Sequence, residues 1–226
     1  STFLYANGQL LTSTTGNSLN YTITPNQYGR VMLTTVAKNV TQSVSDTCYY
    51  YVRGAVNVAE LPADIKEGIN YISSTSVTLC LYAPLKNYVF AIGDFNYWLP
   101  DEDYYMNQTP DGKRFWVAIN NLIPGKEYIF QYLVDGSIYI GDPYCEKVSD
   151  PWNDHYITEE TYPGLIDYPV GKANGIASVL QTNKTPYVWS SGAFTPPAHE
   201  DLMVYELLIR DFTAKHTFQS VIDTLG

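Results

Sequence analysis

The side chains able to do chemistry are few and scattered. Three cysteines (Cys48, Cys80, Cys145) and three histidines (His155, His199, His216) are spread along 226 residues. None has the CxxC or His–carboxylate spacing of a metal site, and an odd cysteine count makes no disulfide framework. No metal and no cofactor is therefore expected. Cys48 and Cys80 lie inside apolar strand patterns and read as small buried hydrophobes. The oxygen-rich run Asp101-Glu102-Asp103 reads as a solvated loop, with calcium as the sharper alternative. Sequons at Asn20, Asn39, Asn107 and Asn183 arise readily in a Thr-rich chain and matter only in a eukaryotic host. Aromatic rings are the plentiful resource: 21 Tyr, 8 Phe and 4 Trp.

Charge and composition narrow the classes. The 13 basic and 23 acidic residues give a net charge of -10, the wrong sign for a duplex nucleic-acid binder or an anionic-membrane binder. Charged residues are 16% of the chain, against about 25% in an average domain. Aromatic and β-branched side chains suit a pleated, half-buried surface. A coiled coil, a helical bundle and a disordered tail are excluded. No apolar run approaches the roughly 18 to 20 residues of a membrane span, so none is expected.

Stepping along the chain, residues 3–5, 19–24, 31–36 and 47–52 read as short strands separated by turn signals such as Asn7-Gly8. They predict an immunoglobulin-like β-sandwich, or part of one, over 1–60, since such a sandwich runs to about 100 residues. Tyr49-Tyr50-Tyr51-Val52 is apolar at every position, as for a strand covered on both faces. A Pro- and Gly-bounded stretch at 61–68 marks a boundary. A second sandwich over 61–160 follows, with strands at 77–83, 88–93, 115–119, 127–134 and 138–140. Spacings of about ten residues carry that reading. The fold class expected is all-β, two consecutive immunoglobulin-like sandwiches. Residues 161–201 read as an ordered connector whose one good strand is 177–181. Its rings at Tyr162, Tyr168, Tyr187, Trp189 and Phe194 are too many to leave in water.

Over 202–226 the pattern changes. The apolar run from Val204 to Ile209 suits a buried parallel strand. Phe218, Val221, Ile222 and Leu225 then share one helical face, with Thr217 placed as the cap. One strand and one helix cannot bury their own faces, so the chain is expected to be cut within a larger domain. The strand should pair with another chain's edge, pack on the second sandwich or be poorly ordered, because an apolar edge is an association hazard.

These residues carry a resemblance. Tyr205-Glu206-Leu207-Leu208-Ile209-Arg210-Asp211-Phe212 and the helix after it resemble the first strand and helix of the (β/α)8 barrel in alpha-amylase-family glycoside hydrolases, nearest to the branching-enzyme and pullulanase types. Gly93-Asp94-Phe95-Asn96-Tyr97-Trp98 resembles the G-D-F-N-x-W motif of the starch- and glycogen-binding E-set modules that precede such barrels. Pro124-Gly125-Lys126-Glu127-Tyr128, Val134-Asp135-Gly136 and Asp142-Pro143-Tyr144 continue the likeness in order. It covers about 69–226.

The resemblance implies the non-catalytic N-terminal part of a bacterial enzyme, secreted, periplasmic or at the cell surface, that acts on alpha-glucans. Its partner would be an alpha-glucan oligosaccharide or polysaccharide. The retaining carboxylates of such enzymes sit on later barrel strands, so no catalytic residue is expected here. Arg210 and Asp211 read as structural members of the first strand. The resemblance offers Trp98, Asn96, Gln131 and Asn153 as carbohydrate-binding candidates. Trp98 either stacks on a sugar ring or plugs the sandwich edge against Phe95. Two positions depart from the family: Ile138 stands where a second stacking Trp is common, and Gln131 where a lysine is. The alternatives are a free-standing carbohydrate-binding protein and an immunoglobulin-like surface interaction module.

Overall fold

Asn7 and Gly8 both have positive φ, the conformation that the tight turn of a two-residue hairpin demands. The computed structural model describes every residue except Ser190, Ser191, Ala193 and Gly226, so those parts of the expected connector and the last residue lie outside the described residues. The Asn7-Gly8 turn joins β1 (Thr2–Ala6) to β2 (Gln9–Thr14). With β3 (Gly29–Lys38) and β4 (Ser43–Val52) they make one antiparallel sheet in the order β2-β1-β3-β4. The hairpin forms as soon as the turn is passed, so residues 9–14 take the place beside β1, and the strand expected at 19–24 does not form.

Residues 1–60 thus supply one layer where two were expected. The consequence is exposure. Val44 and Tyr49 lie open, and Cys48 is exposed rather than buried, because no second sheet covers β4. Cys80 does sit in a core, and burial pushes its thiol up to about 11, with Arg114 pulling the other way. Thiolate reactivity follows pKa and access. Iodoacetamide on the native protein is expected to label Cys48 and spare Cys80 until the chain is denatured, read by peptide mass mapping. Comparable native labelling of Cys80 would contradict its placement.

From residue 68 the alternation is stronger and two sheets stack. One contains β5 (Gly68–Ser73), β6 (Ser76–Tyr82), β9 (Arg114–Ile119) and the two-residue β8 (Asn107–Gln108), in the order β5-β6-β9-β8. The other is built on β10 (Glu127–Val134). Its one side pairs with β7 (Val89–Gly93). Its other side pairs first with β13 (Ala177–Gln181) and then with β11 (Ile138–Ile140). The edge is β12 (Lys147–Ser149), on β13. All of these strand pairings are antiparallel. Between the sheets lie Leu79, Leu81, Phe115, Val117, Phe130 and Tyr132.

The second sheet is covered on its outer face too. Phe90, Ile92, Ile129, Leu133 and Val179 pack there with Trp98, with Tyr51 from the end of β4, and with Ile166 and Ala173. Every residue of β10 after Glu127 is therefore buried. The strand with two covered faces is β10, not the Tyr-rich end of β4. Residues 57–59 run beside β8, where the Gln108 N–H donates to Asn57 O and Ala59 N–H to Gln108 O.

After β13 no strand forms among the described residues. Tyr187 and Trp189 are exposed and meet each other edge-on, at 4.9 Å, contrary to the expectation that connector rings are sheltered. Phe194 is exposed as well. The expected strand from Val204 to Ile209 is absent: Val204 and Tyr205 are open to solvent, and Ile209 begins α1 (Ile209–Phe212). A parallel strand needs a neighbouring strand for its hydrogen bonds, and none among the described residues lies beside this run. The helix beyond it does form, as α2 (Phe218–Ile222). Thr217 caps it by accepting from the Ser220 N–H, and Val221 is buried. No helix among the described residues is long and apolar enough to cross a membrane.

Candidate functional site

The loop that leaves β7 holds two of the four candidates. Asn96 is buried; its Oδ1 accepts from the Gly93 N–H and its Nδ2 donates to Ala91 O. Gly93 O accepts from both Asn96 N–H and Trp98 N–H, closing the turn. Tyr97 and Trp98 both take positive φ, 59° and 65°, a conformation unusual for large side chains. That double reversal sends the Trp98 indole into the outer core of the second sheet, 6% exposed, where Nε1 donates to Asp94 Oδ1 at 2.9 Å. Asp94 Oδ2 also accepts from the Ile129 N–H on β10.

A stacking platform must present a ring face. Trp98 presents none, so as a sugar contact it is corrected to a plug, packed on Phe90 and Ile92 rather than on Phe95. Phe95 instead stacks on Tyr104 at 5.0 Å. Asn96 is corrected in the same way, since both ends of its amide are spent on the turn. Asp101 and Glu102 are also structural: Asp101 accepts from Asp103 N–H and Glu102 from the Tyr51 hydroxyl at 2.8 Å.

Gln131, on β10, is fully buried and cannot touch a ligand. Its Nε2 donates to Asn174 O and Ile176 O, and its Oε1 accepts from the Asn174 N–H. Three bonds from one side chain clamp the backbone that leads into β13. Two further motif carboxylates, Asp135 and Asp142, are also spent on the fold. Asp135 accepts from Asn87 N–H and Tyr88 N–H. Asp142 accepts from the Tyr132 hydroxyl and from Tyr144 N–H. Burial raises the Asp142 pKa, and those two hydrogen bonds pull it back in part; burial also lifts Tyr132 well above its ordinary value. Ile138, at the family's second stacking position, offers no ring.

Asn153 alone of the four is exposed, and its neighbours Asp150 and Asp154 border a cleft in the C-terminal half of the chain. Asn153 Nδ2 donates to Asp150 Oδ2 at 2.6 Å, and Trp152 N–H to Asp150 Oδ1 at 2.8 Å. Those bonds hold the Asp150 carboxyl below its usual range. Asp154 accepts from Ser149 Oγ and Asp150 N–H. Between this turn and residues 157–171 opens a cleft of about 830 Å³. Asp150, Asp154, Glu159 and Asp167 line it, together with Tyr162 and Tyr168, and Leu165, Ile166 and Val170 supply apolar wall.

The cleft's walls are fastened from behind. Tyr168 donates to Gly175 O, next to the backbone that Gln131 clamps. Lys147 Nζ donates to the Tyr162 hydroxyl at 3.0 Å and lies 4.4 Å from the centre of its ring. Burial pulls the Lys147 pKa down, and its bonds to Glu127 and Tyr162 more than offset this, so it is raised. None of the four lining carboxylates is in an ion pair among the described residues. No group of three or more acidic, His or Cys residues there could hold a metal ion.

The four sequence candidates are thus not brought together. The cleft is legible in the sequence only in part: Asn153 and the aromatic connector are separate signals, and nothing in either pattern joins them. No protein-family model matches this chain, and no curated protein matches it.

Proposed function

We propose that the chain is the non-catalytic N-terminal part of an alpha-amylase-family glycoside hydrolase or transglycosylase, branching-enzyme or pullulanase in type, working outside the cytoplasm on alpha-glucans with retention. Its β-sandwich would be an E-set module, its first sheet part of an immunoglobulin-like unit, and its last residues the opening of the catalytic barrel. One observation carries the reading. Gly93, Asp94, Asn96 and Trp98, Asp135, and Asp142 resemble E-set motifs in order, and each makes a specific fold-determining contact within one two-sheet unit. A chance likeness would not place these six motif residues at structural joints. The capped helix after Tyr205–Phe212 adds to it. In this role the sandwich positions the barrel, and the chain by itself is inactive.

The test is an assay of the whole protein on amylopectin, glycogen and pullulan. Reducing-end release or a changed iodine spectrum is expected, with neither from the 226 residues alone. No action on any alpha-glucan by the whole protein overturns the reading. The open face of the first sheet would then favour an immunoglobulin-like surface interaction module.

A further inference from the structure

Three of the four residues that the resemblance offers for sugar contact, Trp98, Asn96 and Gln131, are consumed by the fold, and the cleft between residues 150 and 171 is not. Its charge is one-sided. Asp150, Asp154, Glu159 and Asp167 line it beside a single imidazole, His155, and no lysine or arginine lines it among the described residues. Phosphate, nucleotide and acidic ligands are therefore repelled. The ligand must bring donors. Asp154 and Glu159 each use one oxygen on backbone or side-chain donors of the chain, and Asp167 makes no side-chain hydrogen bond among the described residues, so acceptor oxygens remain free.

Two donor-rich classes suit acceptors: cations and polyols. A compact cation wants converging oxygens, and here the carboxylates are spread around the cleft without any cluster of metal-holding geometry among the described residues. Dispersed acceptors match the hydroxyls that project around a pyranose ring. The sugar's C–H faces need apolar or aromatic surface, which Leu165, Ile166, Val170 and Tyr162 provide. Lys147 pins Tyr162 through its hydroxyl and lies near its ring, so the ring is held before any ligand arrives. Prior ordering lowers the entropy cost of binding. The volume, about 830 Å³, lies in the range of small-molecule sites. That leaves room for the end of an oligosaccharide.

We propose that this cleft, and not the Trp98 loop, is where the chain takes hold of glucan: a subsite for a neutral pyranose oligosaccharide, gripped by Asp154, Glu159 and Asp167 and walled by Tyr162 and Val170. The choice of glucan rests on the function proposed above; the polyol chemistry rests on the cleft. Such a subsite would sit on a sandwich that the catalytic barrel follows, holding one part of a chain while another is worked on.

Calorimetric titration of the 226-residue chain with maltoheptaose tests it, beside three variants and with spermidine as the cationic comparison. Val170 is exposed, so Val170→Arg fills the cleft without burying new atoms. Asp167→Ala removes acceptors that hold nothing in the fold. Tyr97→Ala removes the exposed ring of the motif loop. Thermal melting confirms that each variant folds. Saturable binding to the parent chain is expected, weakened about tenfold or more by Val170→Arg and Asp167→Ala and unchanged in Tyr97→Ala. Equal affinity in parent and Val170→Arg overturns the proposal, as does loss in Tyr97→Ala, binding of spermidine alone, or no binding to the parent. Each of those leaves the whole-protein assay on amylopectin to judge the enzyme reading separately.

Discussion

Gly93→Ala is expected to destabilise the sandwich by about 3 kcal/mol, with a fall in Tm on the order of 10 °C. The strain here is not in backbone dihedrals, since Gly93 lies within strand β7. It is in the space beside it. A Cβ at this position would come within 2.5 Å of Ile129 O and 2.7 Å of Phe130 Cβ. The first is backbone and the second is bonded to backbone, so neither can swing aside. Gly93 faces Phe130 across the β7–β10 ladder, and the two strands would have to part. That would also stretch the Asp94 N–H bond to Ile129 O and the Ile129 N–H bond to Asp94 Oδ2. Gly54 provides the comparison: nothing lies within 4 Å of a Cβ there, and Gly54→Ala should change stability by no more than about 0.5 kcal/mol. Denaturant titration of both variants reads the difference. A Gly93→Ala protein as stable as the parent would mean that the close approach of β7 to β10 is not as described.

The second large effect is expected from Gln131→Leu, at about 4 kcal/mol. Leucine matches glutamine closely enough in volume that the cost is not a cavity. It is the loss of partners for Asn174 N–H, Asn174 O and Ile176 O, each about 1 to 3 kcal/mol when left unpaired in a buried setting. Stability measured by denaturant titration should fall, and the Asn174 amide should lose hydrogen-exchange protection ahead of the β6–β9 ladder. Gln131→Glu should be no rescue, because a carboxylate would face the two carbonyls that Nε2 now serves. If Gln131→Leu melts like the parent, the clamp is not what seats the 173–176 segment. Together the two substitutions separate the joints of the sandwich: Gly93 governs how β10 meets β7, and Gln131 how it meets the chain returning to β13.

The strands were readable where local signals bounded them on both sides. Residues 127–134 and 138–140 carry strong alternation or apolarity and are separated by Asp135-Gly136, and β10 and β11 form with those limits. The same holds for 177–181. The short strands β8 and β12 are not legible in the sequence, because two or three residues carry no periodicity and become strands only when a neighbour is present. The Trp98 placement was out of reach for a different reason. Its side-chain direction depends on two successive positive-φ residues, which Asn96 and Asp94 enforce through hydrogen bonds that span the turn. Composition said that a tryptophan was there, not which way it faced. The run from Val204 to Ile209 shows the converse. Its apolar sequence states a demand for burial, and a demand does not reveal what would meet it. The first sheet erred in the same direction, since alternation predicts that one face is covered without saying by how much.

The pairing of β10 with β13 has a consequence for biosynthesis. Phe130 and its strand partner Ser178 are separated by about fifty residues of chain, and at roughly 5 to 20 residues per second that is some 3 to 10 seconds of translation. For that interval the emerging polypeptide carries the first half of β10 with one flank unsatisfied and its outer face lacking Ile166, Ala173 and Val179. The sandwich is therefore completed late and all at once, when residue 181 clears the ribosome. Until then the nascent chain is a client for whatever chaperone shields exposed strand edges, and a ribosome stalled anywhere between β11 and β13 would hold an aggregation-prone half-domain rather than a finished one.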